Sequence, residues 1–145
     1  MPFVRDLLKN KGKAVHKISP EQTVYDALKM MSEKEIGALV VMEGEKVVGI
    51  MSERDYARKI ILLGKTSKKT MVREVMTSKL IRVSPETSVE DCMILMTGKH
   101  VRHLPVFDQK KFVGVISIGD VVKSIISDKE ALIDQLSDYI SGSKY

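Results

Sequence analysis

The chain has 145 residues, of which 43% are hydrophobic and 30% charged, a balance that permits a packed interior and excludes wholesale disorder. No apolar run approaches the roughly 20 residues that a membrane-spanning helix needs. The formal net charge of +5 suits anionic partners such as nucleotides, nucleic acid or acidic proteins, although a lysine-rich solvated surface gives the same value. Cys92 is the single cysteine, which excludes an internal disulfide and fits a reducing, cytoplasmic location.

The sequence begins with MPFVRDLLKNK, which lacks the apolar block of a signal peptide and predicts a short amphipathic helix. From residue 15 the chain repeats itself at an offset of 65. Residues 15–61 align without a gap with residues 80–126, and chance does not keep register over such a length. We therefore divide the chain into an N-terminal helix (1–11), a first repeat (12–70), a second repeat (71–127) and a C-terminal helix with a tail (128–145).

Each repeat opens with a short predicted strand, residues 16–19 and 81–84, which ends at Ser-Pro and so favours a turn. Thr23 and Ser88 follow as predicted helix N-caps, each with an aspartate three residues later in the position of a capping box. Period-3.6 spacing then predicts one apolar helical face in each copy. The residues of these faces are Val24, Ala27, Leu28 and Met31 in the first copy, and Val89, Cys92, Met93 and Met96 in the second.

Two apolar strands come next in each copy, joined by predicted hairpin turns at residues 43–45 and 108–110. A second helix is predicted to begin at Ser52 or Ser117. The order is therefore β-α-β-β-α, twice, and the fold class is α+β. One such unit of about 50 residues would be marginal alone, so we expect the two pseudo-symmetric repeats to pack sheet to sheet, with a ligand cleft at their seam.

Two segments lie outside this pattern. The basic stretch GKTSKKTMVR, from Gly64, is placed where a linker between the repeats is expected. Residues 128–139 predict a helix with one apolar side formed by Leu132, Ile133, Leu136, Tyr139 and Ile140. That side would either cover the core of the chain itself or contact a second copy in a dimer, and the sequence does not choose between these roles.

Both repeats end their last strand with the frame Gly-x-x-Ser-x-x-Asp, written GIMSERD from Gly49 and GVISIGD from Gly114. The simple interpretation is a capping box, in which the serine caps the helix and the aspartate stabilises its N-terminus. A ligand site is the second interpretation. A helix N-terminus favours phosphate, an aspartate in the first turn accepts hydrogen bonds from ribose hydroxyls, and a glycine inside a strand often marks a close approach.

The duplicated β-α-β-β-α pattern, the RHLPV segment at residues 102–106 and the two Gly-x-x-Ser-x-x-Asp endings resemble a pair of cystathionine-β-synthase (CBS) domains, the Bateman module. The resemblance covers roughly residues 12–127, and the flanking helices are similar to those of stand-alone bacterial CBS-pair proteins. It implies two pseudo-symmetric clefts for adenosine derivatives: AMP, ADP, ATP, S-adenosylmethionine or NAD(H). A nucleotide would take its ribose aspartate from one copy and much of its base and phosphate contact from the other.

Carried onto this sequence, the resemblance predicts a first cleft in which Asp55 holds the ribose and the Val83 backbone faces adenine. Candidates for phosphate are Ser52, Arg54, Arg58, Arg102 and His103. The first cleft as a whole consists of Ser52, Arg54, Asp55, Arg58, Val83, Arg102, His103, Leu104 and Pro105.

The second predicted cleft keeps the ribose carboxylate, here Asp120, but has fewer cations. It consists of Ile18, Ile36, Gly37, Ala38, Ser117, Asp120 and Lys123. The first cleft is therefore expected to prefer a phosphorylated ligand. The second is expected to bind adenosine through base and ribose alone, to bind weakly, or to stay empty.

Other functions are less well supported by the residues. No Walker or Rossmann glycine pattern, paired carboxylates or catalytic triad is visible, so no enzyme is predicted. His100 and His103 form H-x-x-H without a third ligand at metal spacing, so no metal is predicted. A nucleic-acid-binding protein or a purely structural adaptor remains the alternative, although no nucleic-acid motif is visible. We predict a cytoplasmic, homodimeric sensor of adenine nucleotides that regulates an unidentified partner protein.

Overall fold

The computed structural model describes residues 2–11 and 15–141, and it has the predicted α+β architecture. The chain separates into two compact units. One contains the described part of residues 14–81, and the other combines the described part of residues 1–13 with 82–141. Among the described residues, no helix is both long enough and apolar enough to cross a membrane.

The first unit contains a three-stranded sheet of β1 (Lys17–Ile18), β2 (Ala38–Glu43) and β3 (Lys46–Ser52). The strands lie in that order, with β1 parallel and β3 antiparallel to β2. A π-helical turn, Ala57–Ile61, continues helix α3 (Glu53–Tyr56), and a short 3-10 turn, Ser67–Lys69, precedes helix α4 (Val72–Val75). Buried residues of the helices and strands form one apolar core. The remaining helix of this unit is α2 (Val24–Lys34).

The second unit is built on a two-stranded antiparallel sheet. Its elements are α1 (Val4–Lys11), α5 (Val89–Lys99), β4 (His103–Asp108), β5 (Lys111–Ser117) and α6 (Ile118–Ser141). The strand predicted at residues 81–84 is reduced to one parallel bridge between Val83 and Val106. The hairpin turns are confirmed, with Gly44 (φ 64°) and Gln109 (φ 58°) in the left-handed region.

The predicted N-caps and apolar faces are confirmed. The Thr23 and Ser88 hydroxyls accept hydrogen bonds from the backbone N–H groups three residues later, at 3.1 Å in both copies. Val24, Ala27 and Met31 are buried, as are their counterparts Val89, Cys92 and Met96. Helices α2 and α5 also end alike, at the left-handed residues Glu35 (φ 54°) and His100 (φ 55°).

Each repeat is completed by a short helix that sequence analysis assigned elsewhere. Residues 2–8, PFVRDLL, and residues 70–76, TMVREVM, are two copies of one segment, which we call the leader. The leader at 70–76 docks within the first unit, where Val72 N–H donates to Gln22 O and Val24 N–H to Thr70 O. The leader at 2–8 docks in the same way within the second unit, through Val4 to Thr87 and Val89 to Pro2.

The compact units therefore differ from the predicted division of the chain. Residues 71–81 were assigned to the second repeat, yet they complete the first unit, and residues 2–11 are part of the second unit rather than a separate helix. The physical reason is burial, because Val72 and Val75 lie in the core of the first unit and Val4 and Leu7 are buried beside the second repeat.

The C-terminal helix also differs from expectation. The helices predicted after Ser117 and over 128–139 are one continuous helix of 24 residues, α6. No proline interrupts residues 118–141, and polar residues there cost a helix little. The apolar side chains predicted on its C-terminal half do not cover the core of the chain, since Leu132, Ile133, Leu136, Tyr139 and Ile140 are all more than half exposed.

The glycines of the two frames make room for the leaders. A Cβ on Gly49 would lie 2.8 Å from Met76 Sδ and 2.9 Å from Thr77 O, and one on Gly114 would lie 2.9 Å from Leu8 Cδ2. Met76 and Leu8 are equivalent leader residues. The close approach that these glycines permit is thus made by the chain itself.

Replacing Gly49 with alanine is expected to destabilise the protein by about 1–3 kcal/mol, the usual cost of overpacking. The Thr77 carbonyl is backbone and cannot move away by a rotamer change. Gly114→Ala should cost less, because only the end of the Leu8 side chain must move. Urea denaturation of both variants measures this difference, and an equal or reversed order would contradict the explanation.

Candidate functional site

The first Gly-x-x-Ser-x-x-Asp frame forms a complete capping box at the N-terminus of α3. Ser52 N–H donates to Asp55 Oδ2 at 2.9 Å, and Asp55 N–H donates to Ser52 Oγ at 3.4 Å. The Ser52 hydroxyl also donates to Asp55 Oδ2 at 3.2 Å. The capping box that the motif predicts is therefore present in the structure, and one carboxylate oxygen of Asp55 is bonded by the cap residue Ser52.

The other oxygen of Asp55 faces two side chains that sequence analysis did not consider. Thr77 Oγ1 donates to Asp55 Oδ1 at 3.4 Å, and Lys59 Nζ lies 3.2 Å from the same oxygen. The Asp55 side chain is only 12% exposed. A carboxylate accepts about four hydrogen bonds, so ribose hydroxyls would have to replace the contacts of Thr77 and Lys59.

The second frame has the same box at the N-terminus of α6. Ser117 N–H donates to Asp120 Oδ2 at 2.8 Å, and Asp120 N–H donates to Ser117 Oγ at 3.2 Å. Lys11 Nζ, from the end of α1, also donates to Asp120 Oδ2 at 2.8 Å. Partial burial alone would raise the pKa of Asp120, but the hydrogen bonds from Lys11 and Ser117 outweigh it and lower this pKa below its ordinary value.

A backbone contact supports each frame from the strand beside it. Glu53 N–H donates to Gly37 O at 3.0 Å, and the equivalent Ile118 N–H donates to Arg102 O at 2.8 Å. In the sheets, Ala38 pairs with Ser52 and His103 pairs with Ser117. Each unit therefore gathers residues that the resemblance assigns to two different clefts, and the predicted combinations across the two copies stay predictions.

The remaining residues of the first predicted cleft vary in exposure. Arg58 and Arg102 are exposed, Arg54 is half-buried, and Leu104 and Pro105 are buried in β4. Arg54 already has an interaction partner. The exposed guanidinium groups of Arg58 and Arg102 are accessible to an anion.

The backbone N–H and carbonyl of Val83 are both hydrogen-bonded to β4, which limits the contacts they could make with adenine. Its N–H donates to Pro105 O at 3.1 Å, and its carbonyl accepts from Phe107 N–H at 2.9 Å. The N–H is therefore not available to read the edge of adenine. A backbone contact with a base would have to use the second lone pair of the carbonyl oxygen.

In the second predicted cleft, Ile18 is buried in β1 and Ile36 packs against the core of the first unit. Lys123, one turn after Asp120 in α6, is exposed. A cavity of about 600 Å³ lies between α1 and α6, within the second unit. Its lining includes Asp120, Lys123 and also Lys11, which sequence analysis missed.

The surroundings of His103 favour its neutral form, because they lower its pKa. Desolvation by burial lowers its pKa most, the charges of Lys11 and Arg102 lower it further, and only Asp120 opposes them. A neutral imidazole offers a phosphate one N–H but no charge. The expected role of His103 is therefore reduced to that of a hydrogen-bond donor.

Acidification is expected to destabilise the protein through His103. Because the pKa of His103 is lower in the folded state than in the unfolded state, the unfolded state binds more protons as the pH falls below about 6.5. Urea unfolding between about pH 7.5 and 5.5 should show a smaller pH dependence for His103→Gln than for the wild type. An unchanged pH dependence in the variant would contradict the assignment. The carboxylate of Asp120 contributes to stability above its unfolded pKa and loses that contribution only in more acidic solution.

Cys92 and His100, the other reactive side chains considered from the sequence, lie in and at the end of helix α5. Cys92 is buried in α5, and desolvation, with a smaller contribution from Asp91, raises its pKa to about 11, so the thiol stays protonated. His100 is the left-handed residue that ends α5. Over residues 2–11 and 15–141, no three His, Cys, Asp or Glu side chains are grouped as a metal site would require.

The sequence and fold match one protein family over most of the chain. The family model for the CBS domain matches residues 4–62 and 72–127. A mitochondrial CBS domain-containing protein of Arabidopsis thaliana is 43% identical over 148 residues, covering 96% of this chain and 72% of that protein.

Solved structures agree. A structure described as a signal-transduction protein with CBS domains from Burkholderia ambifaria is 48% identical, with a TM-score of 0.84 over 87% of this chain and 95% of that one. A hexameric CBS-CP12 protein from bloom-forming cyanobacteria is 30% identical, with a TM-score of 0.73 over 84% of this chain and 70% of that one. The chain therefore belongs to the CBS-domain family and carries two CBS domains in tandem.

Proposed function

We propose that this CBS pair binds an adenine nucleotide and regulates a partner protein, without catalysing a reaction of its own. The observation that carries the proposal is the pair of aspartates, Asp55 and Asp120, each partly buried at a helix N-terminus and each in contact with a lysine ammonium. Carboxylates of this kind suit the vicinal hydroxyls of ribose, and the neighbouring cations suit phosphate. AMP is the ligand we favour, with ADP, ATP, NAD(H) and S-adenosylmethionine as further candidates.

The regulatory step would follow from the difference between free and bound contacts. A nucleotide that binds through these aspartates must displace lysines that already contact them. Its binding therefore favours one arrangement of α1 and of the turn after α3 over another, and a population shift needs this differential affinity.

Thermal unfolding with and without ligand tests the proposal. Saturating AMP should raise the unfolding temperature of the wild type, because a ligand that binds only the folded state stabilises it. The double variant Asp55→Asn/Asp120→Asn should lose that shift. Equal shifts in the two proteins, or no shift with any of the candidate ligands, would refute it. Mass spectrometry of nucleotide that copurifies with the protein would identify the ligand.

We also propose that the protein forms a homodimer in which the exposed apolar side of α6 contacts a second copy. Leu132, Ile133 and Leu136 are more than half exposed on one side of this helix, and exposed apolar patches of this kind mark interaction sites. Sedimentation of the wild type and of Leu132→Glu/Leu136→Glu tests this proposal. A dimer that persists in the variant, or a wild-type monomer, would contradict it.

A further inference from the structure

The carboxylate of Asp120 carries an ammonium ion supplied by the leader helix. Lys11 is the last residue of α1, and its Nζ donates to Asp120 Oδ2 at 2.8 Å and to Val115 O at 2.9 Å. The helix that bears it is firmly docked, since Val4 and Leu7 are buried and Arg5 N–H donates to Pro85 O at 3.0 Å. The fold therefore places the end of α1 beside Asp120, although the Lys11 side chain itself is 37% exposed.

The first repeat satisfies the equivalent groups in a different way. Ile50, the counterpart of Val115, has its carbonyl bonded by Thr77 N–H at 2.8 Å, and the Thr77 hydroxyl donates to Asp55. In the second repeat, the Lys11 ammonium therefore makes both of the contacts that the backbone N–H and the hydroxyl of Thr77 make in the first. Ser124 stands where the first repeat has Lys59, so Lys11 is the cation that contacts the second aspartate.

Beside this ion pair lies the cavity of about 600 Å³ between α1 and α6, a volume within the usual range for small-molecule sites. Lys11, Lys123 and Ser124 line it near Asp120. The acidic residues Asp6 and Asp128 also line it, but Asp128 is eight residues from Asp120, about 12 Å along the helix axis. Asp6 is held by Phe3 N–H at 2.8 Å, at the opposite end of α1 from Lys11.

We propose that Lys11 makes the Asp120 site selective for phosphorylated ligands over neutral nucleosides. This inference rests on the proposed nucleotide binding and specifies the ligand class at one of the two sites. It also reverses the expectation that the second site binds adenosine through base and ribose alone.

The selectivity follows from what happens to the ammonium when a ligand engages Asp120. A neutral nucleoside must displace Lys11 from the carboxylate and offers this ammonium, whose side chain is 37% exposed, no new anion, so the attraction between the two charges is lost. A nucleotide phosphate placed in the adjoining cavity offers Lys11 a new charge-assisted hydrogen bond, with Lys123 and the Ser124 hydroxyl beside it. Lys11 therefore weakens the binding of a neutral nucleoside and strengthens the binding of a nucleotide.

Titration calorimetry with adenosine and with AMP tests this selectivity in an Asp55→Asn background, which weakens the first site. Lys11→Met keeps the length of the side chain and removes its charge. The matched control is Lys9→Met, an exposed lysine on the same helix. Thermal unfolding of each variant verifies that it is folded.

Lys11→Met is expected to bind adenosine more tightly and AMP more weakly, so that the ratio of AMP to adenosine affinity falls roughly tenfold. Lys9→Met should leave the ratio unchanged. An equal change in both affinities, or a ratio unaffected by Lys11→Met, would overturn the inference. Loss of all AMP binding in the Asp55→Asn background would also overturn it, because the second site would then bind no nucleotide. The proposed function would still be supported by the first site of the wild type. Failure of the wild type to bind AMP would instead refute the proposed function, and this inference with it.

Discussion

Replacing Asp55 with asparagine is expected to weaken AMP binding at the first site by about ten- to a hundredfold, the loss of one or two charged hydrogen bonds. The substitution keeps the size of the side chain and removes the charge that Lys59 and the cap of α3 now balance. Equilibrium dialysis with labelled AMP measures the effect.

Asp26→Asn is the matched control for this variant. Asp26 occupies the same position in the capped first turn of α2, but its side chain is exposed and lies in neither predicted cleft. It should bind AMP as the wild type does. Equal affinity of Asp55→Asn and the wild type would show that Asp55 serves only the helix cap.

Replacing Val72 with aspartate is expected to unfold the first unit, although Val72 lies in the segment matched as the second CBS domain. Val72 is 0% exposed. An uncompensated buried charge costs about 3–5 kcal/mol, which is comparable to the whole stability of many domains. Val4→Asp should have the same effect on the second unit.

Hydrogen exchange distinguishes the two units. Val72→Asp should remove protection from the amides of β2 and β3, and Val4→Asp from those of β4 and β5. Lys69→Asp, an exposed substitution three residues before Val72, should change neither. Loss of protection in β4 and β5 alone after Val72→Asp would contradict the docking of the leaders.

The features that local sequence determines were predicted well. Thr23, Ser88, Ser52 and Ser117 are recognisable as caps because a cap bonds a backbone group only three residues away. The hairpins follow from alternating apolar residues and from short turns. The repeat itself is visible because both copies keep the same spacing, and that spacing led to the family.

The leaders were missed because they follow a different offset. Phe3 aligns with Met71 at an offset of 68, whereas the rest of the repeat keeps 65, and three additional residues separate the first leader from its repeat. The similarity of FVRDLL to MVREVM was available in the sequence. Each leader docks on the repeat that does not directly follow it in the chain. This long-range contact is favoured by the burial of apolar side chains, and no local sequence pattern encodes it.

The cation that contacts Asp120 could not be predicted from local sequence either. Lys11 and Asp120 are 109 residues apart in the chain, and only the docking of α1 brings them together. Of the cations that the repeats contribute to the two predicted clefts, most lie in the first cleft, and Lys11 lies outside the repeats. The frame glycines were associated with a ligand, whereas their contacts with Met76 and Leu8 come from the leaders.

A crystal structure of the protein grown with AMP tests the central claim most directly. The account predicts ribose hydroxyls within hydrogen-bonding distance of Asp55 or Asp120, with the lysine that now contacts that carboxylate moved toward the phosphate. A structure at saturating AMP in which both aspartates still bind only their own caps and lysines, with the nucleotide absent or bound elsewhere, would contradict it.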